Sequence, residues 1–219
     1  MANSNRKLSR RSVLKAGILT GAALTVGLPV TKKVLADTVG TANETSQIGF
    51  FYDQGKCIGC GTCATKCNLT WRWPKGAKWR KVIFNKNDIK TRLSMSCNHC
   101  ENPACMTVCP VKAYTKREKD GIVVHHEDRC VGCGYCMYAC PYNVPQYSET
   151  KGYVSKCSFC ASKQDAGEQP ACVSVCPTGA LAYGNLAELK KQPGLVSQIA
   201  GMPSPELTNP SFVILPIKE

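Results

Sequence analysis

The sixteen cysteines constrain what this chain can fold into more than any other feature of its sequence. They fall into four groups of four, and no cysteine lies outside a group. The groups, in chain order, are Cys57, Cys60, Cys63 and Cys67; Cys97, Cys100, Cys105 and Cys109; Cys130, Cys133, Cys136 and Cys140; and Cys157, Cys160, Cys172 and Cys176. Because a [4Fe–4S] cluster is held by four thiolates, this number predicts four such clusters.

The spacing within the groups supports the same prediction. Groups one and three, residues 57–67 and 130–140, both read C-x2-C-x2-C-x3-C. In bacterial ferredoxins three cysteines of this run hold one cluster and the fourth holds its neighbour. A proline follows the last cysteine of groups two, three and four, and proline turns the chain away from that ligand.

Zinc and disulfide bonds are the alternative uses of so many cysteines. Zinc sites usually combine two CxxC-type pairs separated by a dozen or more residues, whereas groups one and three each place four cysteines within one short run. Cysteines within one turn also have poor geometry for a disulfide. A redox CxxC pair stays open for any one pair alone. We favour clusters and keep a zinc-stabilised interaction protein as the alternative class.

Residues 1–36 resemble a twin-arginine export signal. Residues 9–15 read SRRSVLK, residues 16–30 are apolar or small, and a plausible cleavage site follows Ala36. The apolar stretch is shorter than the ~20 residues of a membrane span, and an uncleaved anchor is the alternative. We predict a periplasmic or extracytoplasmic protein, exported by the twin-arginine route, with no transmembrane segment in the mature chain.

The formal net charge of +13 does not indicate nucleic-acid binding. Residues 1–36 hold seven of the 28 lysines and arginines and none of the 15 acidic residues. Each cluster with its four thiolates adds about two negative charges, so four of them roughly cancel the remaining positive charge. We therefore predict no nucleic-acid partner.

A basic and aromatic patch follows group one. It is either a solvated loop or a docking face for a partner subunit. Its members are Trp71, Arg72, Trp73, Lys75, Lys78, Trp79, Arg80 and Lys81.

An internal repeat and two strand signals bear on the fold. Residues 101–110 match residues 168–177 at seven of ten positions, which suggests duplication of a two-group unit. Residues 48–52 and 121–125 read as strands. Short strands and helices around clusters predict an α+β fold, and because the apolar core is small, we expect the apoprotein to be largely unfolded.

Three segments, residues 96–105, 116–124 and 139–147, closely resemble the iron–sulfur electron-transfer subunit of the dimethyl sulfoxide reductase family. The likeness runs from about Gly49 to about Pro210. The family also serves thiosulfate, polysulfide, tetrathionate, nitrate, formate and nitrite systems, so the resemblance does not fix the substrate.

The resemblance implies two ferredoxin-like modules. The outer module would comprise residues 48–96 and 141–190, and the inner module residues 97–140. Residues 191–219 would form a C-terminal extension, a possible docking segment.

The resemblance also implies four ligand sets that mix the sequence groups. The first set would be Cys57, Cys60, Cys63 and Cys176; the second Cys67, Cys157, Cys160 and Cys172; the third Cys97, Cys100, Cys105 and Cys140; and the fourth Cys109, Cys130, Cys133 and Cys136. In a related nitrate reductase chain a tryptophan replaces the cysteine that corresponds to Cys133 and gives a three-iron cluster. Because this chain has cysteine there, the resemblance implies four irons in each cluster.

A chain whose sixteen thiolates saturate four clusters has no open iron position for a substrate. We therefore predict a non-catalytic subunit that relays single electrons. The resemblance implies a molybdopterin catalytic subunit and a membrane quinone-interacting subunit as partners. An electron carrier of a cytochrome-linked nitrite-reduction, tetrathionate or thiosulfate/polysulfide system is the alternative.

Basic side chains near the cysteines could raise cluster potentials, but we predict that they are ordinary surface residues. They are Lys56, Lys66, His99, Arg129 and Lys156. We predict that His125 and His126 face solvent and have no ligand role.

Overall fold

The structure, a computed structural model, describes residues 46–85 and 88–217. The twin-arginine signal predicted for residues 1–36 lies outside the described residues. The α-helices, all short, are α1 (Thr62–Trp71), α2 (Ala104–Thr107), α3 (Tyr135–Ala139), α4 (Ala161–Asp165), α5 (Ala171–Ser174) and α6 (Leu186–Lys190). Two 3-10 turns cover Glu127–Arg129 and Pro205–Leu207.

Nine short strands accompany these helices within the described residues. They are β1 (Ile48–Asp53), β2 (Lys81–Asn85), β3 (Asp88–Met95), β4 (Tyr114–Lys116), β5 (Val123–His125), β6 (Gln146–Ser148), β7 (Tyr153–Ser155), β8 (Leu181–Asn185) and β9 (Phe212–Leu215). This mixture of short helices and strands confirms the α+β class. The strands predicted at residues 48–52 and 121–125 are confirmed as β1 and β5, the latter over three residues.

One three-stranded sheet joins distant parts of the chain. Its strand order is β8–β1–β9, with β1 antiparallel to β8 and parallel to β9. Phe50 on β1 lies opposite Tyr183 on one side and Phe212 on the other. The sheet therefore brings the segment after β1, which carries group one, beside the segment before β8, which carries group four.

The other strands form three antiparallel hairpins, β2–β3, β4–β5 and β6–β7. The turn between β4 and β5 contains Gly121, which has a φ of 68°, a left-handed conformation that glycine adopts without strain. The β4–β5 hairpin follows group two and precedes group three. The β6–β7 hairpin separates groups three and four.

The last strand lies within residues 191–219, which were predicted to form a C-terminal extension, and it is buried. Phe212 and Val213 are 2% exposed and Ile214 is fully buried in the sheet. This part of the C-terminal segment belongs to the core, so its side chains are not available for docking.

The apolar core is divided among three clusters that all touch cysteines. The largest contains Phe50, Tyr52, Phe159 and Phe212 among others, with Phe159 edge-on to Phe50 at 3.9 Å between ring centres. Two smaller clusters surround Cys97 and Cys136. None of the helices in the described part of the chain is long and apolar enough to cross a membrane.

Candidate metal centres

The first set lines one cavity. Cys57, Cys60 and Cys63 reach it from the loop after β1 and the start of α1, and Cys176 reaches it from the segment before β8. The antiparallel pairing of β1 and β8 is what brings residues so distant in sequence together. Tyr52, Ser94 and Leu181 complete part of the wall.

The third set lines a second, separate cavity. Cys97 and Cys100 lie in the loop after β3, Cys105 lies in α2, and Cys140 ends α3. The remaining wall is mostly apolar. It is completed on its polar side by His99, Lys156 and Thr208, among others.

All four members of the second set are buried, at 4–6% exposure. Burial raises the pKa of Cys67, and the neighbouring Cys157 and Cys172 thiols raise it further. Burial also raises the pKa of Cys172 to about 11, with the Arg80 charge opposing and Cys157 and Cys160 adding to the rise. These mutual effects place the four thiols in one electrostatic neighbourhood.

The fourth set lies around the small core of Tyr114, Val123, Cys136 and Val154. Cys109 and Cys130 pack against that core, whereas Cys133 is exposed. Burial raises the pKa of Cys136, with the Cys130 and Cys133 thiols adding to the rise. Gly132 in this loop has a φ of 70°, and a Cβ there would collide with the carbonyl oxygen of Gly152, so the close turn requires glycine.

Backbone and side-chain N–H groups already point at several of these sulfurs. Trp71 Nε1 donates to Cys160 Sγ at 3.2 Å, and the Ala113 amide donates to Cys109 Sγ at 3.2 Å. The amide of Phe159 donates to Cys157 Sγ at 3.4 Å. Such hydrogen bonds stabilise a thiolate over a thiol, and the thiolate is the state that binds iron.

Other buried donors beside the thiols make no hydrogen bond of ordinary geometry in the described residues. They are Tyr52 Oη, Trp73 Nε1, Tyr114 Oη, Tyr142 Oη and Thr208 Oγ1. All of them except Tyr142 approach a thiol closely enough for a hydrogen bond to sulfur, and Tyr142 approaches Thr208. Tyr52 lies beside Cys57, Trp73 beside Cys67, Tyr114 beside Cys136, and Thr208 with Tyr142 beside Cys100.

These buried donors test whether the sites fit an iron–sulfur cluster. A buried donor needs an acceptor, and in each of the four sets at least one of these donors has a cysteine sulfur as its nearest candidate. Within the described residues no three His, Cys, Asp or Glu side chains converge on a point suited to a single metal ion. In the first and third sets the thiols surround a cavity that Tyr52, or Tyr142 and Thr208, also line, and this arrangement fits a larger group that itself carries sulfur acceptors.

Two of the basic residues predicted to lie on the surface are buried, and the prediction was wrong for them. His99 is 1% exposed and Lys156 is 4% exposed. Lys156 Nζ donates to the carbonyl oxygens of Val123 at 2.5 Å and Cys157 at 3.0 Å. Lys56, Lys66 and Arg129 are exposed as predicted. The burial of a lysine cannot be inferred from its neighbours in sequence. The one sequence feature that pointed to a role for Lys156 was its position directly before Cys157.

The prediction that His125 faces solvent was also wrong. Its ring packs on Tyr114 with 4.6 Å between ring centres, and its Nε2 is buried without a partner in the described residues. Burial, aided by the Lys156 charge, lowers the pKa of His125 to about 4. His126 is partly exposed and its Nε2 contacts Thr115 Oγ1 at 2.8 Å.

The basic and aromatic patch divides into two kinds of residue. Arg72, Lys75, Lys78 and Lys81 are exposed, as a solvated loop or a docking face would require. Arg80 is instead buried at 2% exposure, so it does not belong to the patch. The tryptophans are half-buried, and Trp71 and Trp79 lie 6.4 Å apart between ring centres.

Known proteins resemble this chain over most of its length. The family described as the 4Fe-4S dicluster domain matches residues 90–186. The B subunit of the anaerobic dimethyl sulfoxide reductase of Escherichia coli K12 is 43% identical over 188 residues, which covers 78% of this chain and 90% of that protein. The thiosulfate reductase electron transfer subunit PhsB of Salmonella typhi is 38% identical over 156 residues, with 68% and 81% covered. The hydrogenase-2 operon protein HybA of Escherichia coli O157:H7 is 36% identical over 213 residues, with 83% and 64% covered.

Proposed function

This chain belongs to the family of iron–sulfur electron-transfer subunits that includes the B subunit of dimethyl sulfoxide reductase, and we propose that it relays single electrons through four [4Fe–4S] clusters. The observation that carries the proposal is the lining of two separate cavities by four cysteines each. The other eight cysteines lie in two further neighbourhoods, which contain the buried donors Trp73 and Tyr114 beside Cys67 and Cys136. The function is that of an electron-transfer subunit of an anaerobic respiratory oxidoreductase.

We assign one cluster to each of the four cysteine sets. The first and second sets would form the outer ferredoxin-like module with residues 48–96 and 141–190, and the third and fourth the inner module with residues 97–140. The pairing of β1 with β8 supports the outer module. The packing of Cys105 and Cys109 with Cys130 and Cys136 around one core supports the inner module.

Each bound cluster would accept and release one electron at a time. The protein's part is to hold the thiolates, exclude water and aim donors at sulfur. Cys160 shows this arrangement, because it accepts from Trp71 Nε1 at 3.2 Å and from the Ala171 amide at 3.4 Å. Hydrogen bonds to sulfur favour the more negative, reduced state and so raise the reduction potential.

We further propose a molybdopterin catalytic subunit and a membrane quinone-interacting subunit as partners. The likeness to the B subunit of dimethyl sulfoxide reductase supports this assignment. The likeness to the electron transfer subunit of thiosulfate reductase makes thiosulfate chemistry the second candidate for the catalytic partner. The substrate would bind to that partner and not to this chain.

Export by the twin-arginine route remains part of the proposal, on the strength of residues 9–15. An Arg10→Lys, Arg11→Lys double variant should accumulate in the cytoplasm with its clusters, whereas the native chain should be found at the outer face of the membrane. Cell fractionation with iron analysis measures this. Equal distribution of the two chains would exclude the twin-arginine route.

Purification of the complex tests the function. We expect an affinity-tagged chain, isolated anaerobically from native membranes, to bring with it a large subunit that contains molybdenum and pterin. A quinol analogue should reduce the iron–sulfur signals in the electron paramagnetic resonance (EPR) spectrum, and the oxidised substrate should reoxidise them. Copurification with a multihaem cytochrome and no molybdenum would instead support the cytochrome-linked carrier.

A further inference from the structure

Arg80 is a buried cation whose described partners are all neutral. It is 2% exposed, and its guanidinium lies over the Phe50 ring at 4.8 Å. Nη1 donates to the Ser94 carbonyl at 3.2 Å and to Ser94 Oγ at 3.1 Å, and Nη2 donates to Ser96 Oγ at 2.8 Å. No carboxylate of the described residues forms an ion pair with it. A buried charge without a counter-charge is strongly unfavourable.

The groups that can compensate this charge are cysteines from two different sets. Burial opposes the charged form of Arg80. The pKa of Arg80 is nevertheless raised, because the negative charge of nearby thiolates favours the charged guanidinium; these are Cys172, Cys157, Cys63 and Cys67. Cys63 belongs to the first set and the other three to the second. The Phe50 ring that Arg80 covers belongs to the packed cluster that contains Cys172 and contacts Cys63, so Arg80 is close to both sets of the outer module.

A hydrogen-bonded relay connects Arg80 to the first set. Ser94 Oγ accepts from Arg80 Nη1 at 3.1 Å and lies 3.3 Å from Cys63 Sγ. Because Arg80 supplies the proton of the first contact, the Ser94 hydroxyl is free to donate its own proton to a Cys63 thiolate. Ser94 also lines the cavity of the first set. The guanidinium charge thus acts on the first set through one hydroxyl as well as through space.

We propose that Arg80 is a shared counter-charge for the clusters of the first and second sets and raises the reduction potential of both. The inference rests on the proposed function. Reduction adds one negative charge to a cluster, and a fixed positive charge nearby in a dry interior favours that state. Arginine suits this role, because its guanidinium stays protonated and its planar fork can hold Ser94 and Ser96 at once.

Redox titration of the purified holoprotein, followed by EPR, tests the proposal with an Arg80→Gln variant. At the native midpoint potentials of the first-set and second-set clusters, the ratio of reduced to oxidised cluster should fall at least tenfold in the variant, a shift of about 59 mV for one electron. The third-set and fourth-set clusters should keep their potentials. Lys66→Gln is the matched control, because it removes a positive charge from an exposed position between Cys63 and Cys67 and should shift neither cluster by that amount.

Ser94→Ala and Arg80→Lys keep the proposal testable if Arg80→Gln loses iron. Ser94→Ala should lower the potential of the first-set cluster alone, because only that set is reached through the hydroxyl. Arg80→Lys should lower the two potentials less than the neutral variant does. Unchanged first-set and second-set potentials in Ser94→Ala and in whichever Arg80 variant retains iron would overturn the inference. Native protein without four clusters would overturn the proposed function instead.

Discussion

Single tyrosine hydroxyl groups lie beside the cysteine sets, and under the proposed function they would donate hydrogen bonds to sulfur. Tyr52 Oη and Tyr114 Oη are buried, make no hydrogen bond of ordinary geometry in the described residues, and lie beside Cys57 and Cys136. Tyr52→Phe should lower the potential of the first-set cluster, and Tyr114→Phe that of the fourth-set cluster. A hydrogen bond contributes about 0.5–1.5 kcal/mol, which corresponds to roughly 20–60 mV for one electron.

Redox titration with EPR detection again provides the measurement, and Tyr138→Phe is the control because Tyr138 is 91% exposed. A change in the control equal to that in either buried variant would contradict the assigned role.

At this scale the sequence predicts candidate ligands but not their surroundings. Cysteines such as Cys57, Cys60 and Cys63 are recognisable as candidate ligands because two residues separate each from the next within one short run. Arg80 and Lys156 were interpreted as surface residues, because burial depends on which distant segments cover a side chain. The burial of the Tyr52 and Tyr114 hydroxyls beside the cysteines could not be predicted for the same reason.

Strand β9 shows why one element escaped prediction. Its residues, Phe212–Leu215, pair in parallel with β1, which lies more than 150 residues earlier in the chain. No local repeat or turn motif in the sequence predicts this pairing. Strands β1 and β5 were predictable because alternating or continuous apolar residues follow clear turn signals. Parallel pairing requires a long connection, so only the folded structure identifies the partner.

The burial of Phe212 gives β9 a measurable contribution to stability. Phe212→Ala should destabilise the holoprotein by about 3–5 kcal/mol, because it removes a buried ring and leaves a cavity. The measurement is the urea concentration at which visible cluster absorption is lost under anaerobic conditions. Leu207→Ala, at a position that is 62% exposed, should change stability by less than about 0.5 kcal/mol. Equal midpoints for the two variants would show that β9 is not part of the stable core.

The pairing of β1 with β8 makes a prediction about ligands that are distant in sequence. Cys57→Ser and Cys176→Ser should alter the EPR signal of the same cluster, because both thiols line one cavity. Cys100→Ser should alter a different signal, since Cys100 lines the other cavity. If Cys57→Ser and Cys176→Ser changed different clusters, the exchange of ligands between groups one and four would be wrong.

At the scale of the whole molecule, two exposed apolar side chains mark equivalent positions of the internal repeat. Ile58 follows Cys57 and is 57% exposed, and Val131 follows Cys130 and is 64% exposed. Each lies directly beside a proposed cluster, one in the first set and one in the fourth. Exposed apolar residues at such places are suited to contact with a partner protein.

We expect Ile58→Asp and Val131→Asp to weaken the binding of different partner subunits at least tenfold, because a charge buried in an interface without a partner is costly. Iron content should stay at the native value in both variants. Quantification of each subunit after affinity purification is the measurement, with Leu207→Asp as an exposed control. Loss of the same subunit from both variants would contradict the assignment of Ile58 and Val131 to contacts with different partners.

Iron and acid-labile sulfide analysis of the anaerobically purified, fully reconstituted chain tests the central claim most directly. Four clusters of four irons predict about sixteen irons and about as many sulfides for each polypeptide. A content near eight irons, or stoichiometric zinc with no sulfide, would contradict the account.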